Sequence, residues 1–290
     1  MPPRVLVFGA GGKLGSAVAQ ALAGGWEVVP VVRTDVDIRD GDALGRFLAQ
    51  SSPDAVVNAV VFGGVDACEL DPATAFAVNT LFPRQLAARS EEHGFALVHV
   101  SSDAVFPDAA PGAFHTEDSP VGPCNVYGAS KYAADCLVAA TASRAYVLRL
   151  SVMFGERRSP PQFLERMLQM AMAGREVLRV SDDIVVSPSY SPDVATAVRR
   201  ILESSLPCGL YHVANEGCAS LYELVSRAVA CLGLPVRVEP VGHDCFPGLG
   251  RRSLRTPIRS VKIPPLRPWQ EALADYCRRL TRERESTHDR

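Results

Sequence analysis

Two residues on one predicted helix, Tyr127 and Lys131, have the types and the spacing for proton transfer. Side chains four residues apart on a helix emerge on one face. A tyrosine phenol has a pKa of roughly 10, so at neutral pH it is a weak acid and base unless a nearby cation stabilises the phenolate. Lysine supplies such a charge on a flexible stem, and the only other lysines are Lys13 and Lys262. The pair therefore predicts a tyrosine that transfers a proton, with its pKa lowered by the lysine.

A serine at the end of an earlier strand-like run could complete this group. In "HVSSDAVF" the run ends at Ser102, and ligand sites in parallel sheets lie at the carboxyl ends of strands. Its hydroxyl could donate a hydrogen bond to a carbonyl oxygen that gains charge. The alternative is a loop or capping serine. Asp103 is expected in the following turn and could face the same pocket.

The segment "VFGAGGKLGSAVAQAL" places glycines between an apolar strand and an amphipathic helix. Glycines with this spacing permit a tight turn, the approach of a pyrophosphate to the helix N-terminus, and close packing of helix on sheet. The alternative is a tight strand–helix turn that binds nothing. The residues expected to hold a dinucleotide here are Gly9, Gly11, Gly12, Lys13, Leu14 and Gly15.

The end of the second strand bears on which dinucleotide is bound. An acidic residue here usually meets a free 2′-hydroxyl, whereas arginine suits a 2′-phosphate. Arg33 stands at or near this point in "VVRTDVDIRD", and Asp37 and Ile38 follow as candidate neighbours of the adenine. We therefore expect NADP(H) in preference to NAD(H). The alternative is that Arg33 is a solvated surface residue.

Apolar strands and amphipathic helices alternate through the first half of the chain and must position these residues. Strands apolar throughout, separated by helices, are typical of a parallel sheet covered on both faces. The strands are predicted at 4–9, 27–32, 54–61, 96–102 and 145–150, and the helices at about 14–23, 41–50, 72–93 and 127–140. The predicted fold is α/β, a Rossmann-type doubly wound parallel sheet with a smaller α/β C-terminal substrate lobe.

The pattern divides the chain into two units. Residues 1–155 plus about 184–213 are predicted to form the NAD(P)-binding Rossmann domain, and about 156–183 plus 214–280 the substrate-binding lobe. The charged segment 281–290 is expected to be a frayed tail.

Composition excludes several function classes. The 290 residues carry a net charge of −2, which predicts no nucleic-acid or membrane partner, and no apolar run is long enough to span a membrane. The N-terminus enters a strand directly, so we expect a cytoplasmic protein. The eight cysteines form no CxxC. We expect buried free thiols, such as Cys136 and Cys231, packed residues at His99 and His212, and no metal site.

The order of these pieces resembles the extended short-chain dehydrogenase/reductase superfamily and, within it, the dTDP-4-dehydrorhamnose reductase family. The resemblance covers about residues 3–220 and fades after that. The matching segments include "VFGAGGKLG", "PDAVVNAV", "VHVSSDAVF", "EDSPVGPCNVYGASKYAAD", "VLRLSVMFG" and "SPSYSPDVA".

The resemblance implies a catalytic triad of Ser102, Tyr127 and Lys131. It implies hydride transfer from a nicotinamide to the keto carbon of a nucleotide-linked 4-keto-6-deoxysugar, with proton donation by Tyr127. Lys131 would also bind the nicotinamide ribose. The further residues assigned to the cofactor are Asn58, Ala59, Val60 and Ser151. Those assigned to the substrate are Val61, Asp103, Val105, Val152 and Phe163.

The chain also departs from that family's pattern. The departures at or near the expected pocket are the run Asn58-Ala59-Val60-Val61-Phe62-Gly63, Ala67, Val152, Ile184 and Val186, so the sugar or nucleotide could differ. Some relatives carry a glutamate in the first helix that helps to build a metal-linked dimer; Ala17 stands there, so we expect no metal and leave monomer and homodimer open.

Two other functions remain open at the level of sequence. One is a nucleotide-sugar epimerase or dehydratase on the same fold. A dehydratase would follow the serine with an Asp-Glu pair, whereas here Asp103 and Ala104 follow. The other is a non-catalytic NADP-binding regulatory subunit, which would have no need of the triad.

Overall fold

The computed structural model describes residues 1–155 and 161–288. Its strands are β1 Arg4–Phe8, β2 Glu27–Val31, β3 Ala55–Asn58, β4 Ala96–Ser102, β5 Ala145–Leu150, β6 Met153–Phe154, β7 Val177–Ser181, β8 Val185–Val186, β9 Ser189–Tyr190, β10 Gly209–His212, β11 Asn215–Glu216, β12 Ala219–Ser220, β13 Arg237–Val241 and β14 Leu266–Pro268. Its α-helices are α1 Lys13–Leu22, α2 Gly41–Ser51, α3 Val65–Leu70, α4 Pro72–Phe76, α5 Phe82–His93, α6 Val126–Thr141, α7 Phe163–Met172, α8 Ser191–Glu203, α9 Leu221–Cys231 and α10 Trp269–His288.

Six strands form the central sheet in the order β10-β5-β4-β3-β1-β2, and every neighbouring pair is parallel. Apolar residues of α1 and α8 cover one face of the sheet, and those of α2, α5 and α6 cover the other. Strand β2 lies on one side of β1, and β3 lies on the other. The strand order therefore reverses between β1 and β3, and the carboxyl ends of these two strands flank that point. The predicted doubly wound α/β fold is confirmed.

A second apolar core lies outside this sheet. It packs α7, α9 and α10 together, with Leu168, Leu224 and Leu273 among its fully buried residues. Strands β7 and β13 pair in parallel beside it. Helix α10 continues to His288, so the charged segment expected to be a frayed tail is helical as far as that residue. Residues 289–290, and the predicted lobe residues 156–160, lie outside the described residues.

The long helix predicted over 72–93 contains a π turn at Ala77–Leu81. Pro83 has no backbone N–H to donate to the residue four before it, and Phe82 N–H instead donates to the carbonyl of Ala77, five residues back. The turn buries Asn79, whose side chain bonds the backbone of Phe62 and donates to Ser130 Oγ of α6 (3.1 Å). The π turn thus ties α6 to the loop after β3.

Strand β3 ends at Asn58, three residues before the predicted end. Asn58 Oδ1 accepts from the Val60 backbone N–H (3.1 Å), a local side-chain bond that competes with the strand ladder. Residues 59–64 therefore form a loop at the carboxyl edge of the sheet, where the sequence predicted strand as far as residue 61.

The prediction that most cysteines are buried free thiols is wrong, because only two of the eight are buried. Cys136 and Cys231 are exposed, whereas Cys68 and Cys277 are buried. Cys136 lies two residues from both Ala134 and Val138 on the buried face of α6, so it points away from that face. His99 and His212 are buried, as predicted. Within the described residues, no helix is long and apolar enough to span a membrane, and no group of three His, Cys, Asp or Glu side chains is arranged to hold a metal.

Candidate active site

The glycine loop lies between β1 and α1 and depends on two glycines for its shape. Gly9 has φ 79°, and a Cβ there would stand 3.0 Å from the backbone of Ala59. A Cβ at Gly15 would lie 2.2 Å from the Gly9 carbonyl oxygen, so α1 approaches β1 too closely for any side chain. Gly11 and Gly12 are exposed, and Gly12 caps α1. The arrangement leaves the helix N-terminus open to a pyrophosphate.

The turn after β2 presents Arg33 to solvent. Arg33 forms no hydrogen bond or ion pair with any residue that the structure describes, so its guanidinium is uncommitted. Asp37, by contrast, is bonded through its carboxylate to the Arg39 side chain (3.2 and 3.4 Å), which lowers the pKa of Asp37. Ile38 packs partly against the apolar core on this face. This edge therefore offers a free cation, and a carboxylate that is paired with Arg39.

Asn58, at the end of β3, sits in a buried polar group. Its Nδ2 donates to His99 Nδ1 (3.3 Å) on β4. Burial, and then the charge of Lys131, hold the pKa of His99 well below its usual range, so the imidazole is neutral. Ala59 and Val60, the next two residues, are half-buried, and their backbone contacts Gly9. The predicted cofactor residues at the end of β3 and just after it thus lie against the glycine loop.

Three separate parts of the chain meet at the buried carboxylate of Asp103. Ser102 Oγ donates to Oδ1 (3.2 Å), while Ser151 Oγ and Thr256 Oγ1 donate to Oδ2 (2.6 and 3.0 Å). Burial raises the pKa of Asp103, and these hydroxyl donors oppose that rise. Ser102 also accepts from the Ala104 N–H (3.1 Å), so it is a capping serine as well as a site residue. Rotation about its C–O bond can redirect the hydroxyl.

Tyr127 lies beside Ser102 and Asp103 at the start of α6. Burial raises the pKa of Tyr127 to about 12, the Ser102 side chain opposes the rise, and the Asp103 charge adds to it. The net shift is upward, so the lowering predicted from the spacing to Lys131 does not occur in this structure. A phenol that stays protonated is a proton donor at neutral pH and a poor base.

Lys131 is fully buried and held by the backbone of β4. Its Nζ donates to the Val100 carbonyl (2.6 Å). Burial lowers the pKa of Lys131 to about 8, and the carboxylate of Asp135 one turn later opposes this. Asp135 itself is paired with Arg149 (2.9 Å). Lys131 therefore carries its charge at neutral pH but loses it more readily than an exposed lysine.

Close packing sets the position of Tyr127. A Cβ at Gly128 would lie 2.2 Å from the Ala104 carbonyl oxygen, so α6 contacts the turn 103–105 directly through backbone. Asn125 caps α6, accepting from the Gly128 N–H (2.8 Å), and Glu69 of α3 accepts from the Val126 N–H (2.9 Å).

The segment 249–258 crosses this site, although the sequence placed it only in the substrate lobe and pointed to none of its residues. Its Arg251 carbonyl accepts from Asn125 Nδ2 (2.9 Å), its Ser253 hydroxyl donates to the Phe106 carbonyl (2.9 Å), and its Thr256 hydroxyl reaches Asp103. No sequence motif predicts these contacts, because the partner residues lie more than 100 residues away along the chain. We name 249–258 the crossing segment.

The residues predicted to contact substrate differ in how far their side chains are exposed. Asp103 lies in the site, Val152 and Phe163 are half-buried, and Val61 is 48% exposed. Val105 is 0% exposed and packs with Phe106 and Ile258, because the turn 103–105 points it into the interior. Its side chain has no surface to offer a substrate, and we leave it out of the proposed set. Val186 is likewise 4% exposed.

Lys13 follows the exposed glycines, but its side chain is buried. Its Nζ lies 2.6 Å from Glu165 Oε2 of α7, and burial lowers the pKa of Lys13 while Glu165 raises it. Leu14, the other residue predicted to touch the cofactor here, is also buried. Any contact of these two residues with a dinucleotide would come from their backbone.

A family model described as "RmlD substrate binding domain" matches residues 3–282 of the chain. The chain belongs to this family. The resemblance drawn from the sequence is thus confirmed, and the match extends beyond residue 220, where the quoted motifs fade.

Curated relatives agree with the RmlD family model. A dTDP-4-dehydrorhamnose reductase of Mycolicibacterium smegmatis is 34% identical over 282 residues, covering 95% of this chain and 85% of the relative. The spore coat polysaccharide biosynthesis protein SpsK of Bacillus subtilis is 32% identical, covering 94% and 96%. The Bacillus anthracis dTDP-4-dehydrorhamnose reductase in complex with NADP has a TM-score of 0.90 and 26% identity, covering 95% of this chain and 99% of that one.

Proposed function

We propose that this protein is an NADPH-dependent reductase that converts the 4-keto group of a dTDP-linked 6-deoxysugar to a hydroxyl. The observation that carries the proposal is the position of Tyr127, a protonated phenol beside Ser102 at the carboxyl end of β4; only β3 separates β4 from β1 and its glycine loop. The family and the named relatives support the same substrate class.

The residues of this chain have defined tasks in that reaction. Bound NADPH would supply the hydride. Ser102 donates a hydrogen bond to the keto oxygen and stabilises the charge that develops there. Tyr127 gives its proton to the resulting alkoxide, which binds a proton more tightly than a phenolate does. Lys131, charged at neutral pH, stabilises the phenolate left behind.

The proposed cofactor preference depends on the turn after β2. Arg33 is free to pair with a 2′-phosphate, and arginine suits phosphate because its planar fork of donors matches the oxygens. Asp37, which could select a free 2′-hydroxyl, is instead paired with Arg39. We therefore propose NADP(H) in preference to NAD(H).

The proposed division of labour follows the two cores. The six-stranded sheet with its helices would hold the cofactor, and the lobe containing α7, α9 and α10 would hold the sugar nucleotide. Residues near the boundary that we propose to contact the substrate are Val61, Asp103, Val152 and Phe163.

The test is a panel of nucleotide-linked 4-keto-6-deoxysugars assayed for NADPH oxidation, with the product configuration determined by NMR. Wild-type protein should reduce one or more members, and Tyr127→Phe should lose at least about a hundredfold in kcat while keeping NADPH affinity, because only the proton donor is removed. Interconversion of sugars without net NADPH consumption would identify an epimerase. Equal rates for Tyr127→Phe and wild type would overturn the assignment of the proton donor.

A further inference from the structure

A buried ion pair joins the glycine loop to the C-terminal lobe. The side chains of Lys13, the first residue of α1, and Glu165, in the first turn of α7, are 4% and 1% exposed. Lys13 Nζ also donates to the Met153 carbonyl (3.3 Å), and Glu165 Oε1 accepts from the Gly155 N–H (3.1 Å). The pair therefore connects the N-terminus of α1, the segment 153–155 and α7.

The surroundings of Lys13 argue against a role as a phosphate ligand. A cation at a helix N-terminus meets the positive end of the helix dipole and is favourable only with an anion close by. Glu165 is that anion, at 2.6 Å. Removing one member of a buried pair leaves the other as an uncompensated charge, which is strongly destabilising. Lys13 thus has its anionic partner within the protein and needs no phosphate to balance its charge.

The segment held by this pair leads directly to the reaction site. Ser151, four residues before Gly155, donates to Asp103 beside Tyr127. The segment has little freedom to slide, because a Cβ at Gly155 would stand 2.1 Å from Ser191 Oγ. A shift of α7 against α1 is thus transmitted to the residues around the proton donor.

We propose that Lys13 and Glu165 are positioning residues that couple the binding of the dinucleotide to the binding of the sugar nucleotide. The pyrophosphate at the N-terminus of α1 fixes that helix end, and the ion pair fixes α7 and the lobe to it. The two sites then strengthen each other by the same factor in both directions. The identity of the two ligands rests on the proposed function.

Calorimetric titration with NADP⁺ and dTDP tests the coupling without turnover. Wild-type protein should bind dTDP roughly tenfold more tightly when NADP⁺ is present. In Lys13→Met and Glu165→Gln this factor should fall to about one. The Kd of NADP⁺ alone should stay within about threefold of wild type in the double variant Lys13→Met with Glu165→Met, which leaves no unpaired charge beside the loop. Glu203→Gln, which breaks the exposed pair of Arg199 and Glu203 on α8, is the matched control and should keep the coupling.

A double variant separates positioning from folding. Lys13→Met with Glu165→Met leaves no buried unpaired charge, so its Tm should recover from those of the single variants. Its coupling should stay lost, because no ion pair fixes α7 to α1. If both the Tm and the coupling recover in the double variant, the ion pair is purely structural and the proposal is wrong.

Other outcomes also overturn it. If the double variant, which leaves no unpaired charge, binds NADP⁺ tenfold or more weakly than wild type, Lys13 is a phosphate ligand. Equal dTDP affinity with and without NADP⁺ in the wild type contradicts the coupling alone. A wild-type protein that binds NADP⁺ and no dTDP contradicts the proposed substrate class, and the coupling with it.

Discussion

Replacing Gly128 by alanine should separate Tyr127 from the rest of the site. The new Cβ would stand 2.2 Å from the Ala104 carbonyl oxygen, whereas ordinary contact begins at 3.4 Å, so α6 and the turn 103–105 must move apart by about 1.2 Å. Ser102 caps that turn, and Tyr127 precedes Gly128, so the two hydroxyls separate by a similar distance. Misplacement of about 1 Å costs roughly a hundredfold in rate. Overpacking of this kind also lowers the free energy of unfolding by roughly 1–3 kcal/mol.

The measurement is kcat for keto-sugar reduction, followed by loss of NADPH absorbance, together with chemical denaturation of the same preparation. Gly24→Ala is the matched control, because nothing lies within 4 Å of a Cβ there. It should keep wild-type kcat and stability. Wild-type kcat in a Gly128→Ala protein of wild-type stability would refute the argument that this backbone contact positions the proton donor.

Three further predictions concern the cofactor and the pH profile. Arg33→Ala should raise the KM for NADPH at least about tenfold, because one charge-assisted contact with the phosphate is lost. The KM for NADH should stay nearly unchanged. An equal rise in both KM values would show that Arg33 is not in the cofactor site. Gly15→Ala should weaken NADP⁺ binding, measured by calorimetry, since its Cβ would lie 2.2 Å from Gly9 oxygen, and unchanged affinity would contradict this. The kcat/KM for reduction should fall as pH rises through about 8, because Lys131 is charged only below its lowered pKa. Lys131→Arg, which keeps its charge, should move that fall to higher pH, and a wild-type profile flat above pH 8 would disprove the dependence on this group.

The fold and the glycine loop could be predicted from the sequence because their signals are local. The apolar runs that became β1, β4 and β5 begin and end within one residue of their predicted bounds. Gly9 and Gly15 carry a conformational and a steric requirement that no other residue meets, so their spacing alone is informative. Tyr127 and Lys131 share one helix, as the spacing required.

The other features of the site depend on tertiary contacts, which cannot be predicted from the spacing of residues in the sequence. The pKa of Tyr127 rises because of burial, which is a property of the assembled site and not of the interval to Lys131. Asn79 reaches Ser130 of α6 from a π turn just before Pro83, and that contact joins two helices. Thr256 lies 153 residues from its partner Asp103, in a stretch of short strands and prolines without recognisable periodicity.

The crossing segment has a consequence for anyone who exchanges substrate lobes between relatives in order to change sugar preference. By chain order residues 249–258 belong to the lobe, yet their hydrogen bonds to Asn125, Phe106 and Asp103 belong to the catalytic half. A chimera joined after β10 would place the other protein's segment beside the native Tyr127. If that segment has no hydroxyl at the position of Thr256, the buried Asp103 loses one hydrogen bond. A functional graft should therefore keep 249–258 native and exchange only the stretches on either side of it.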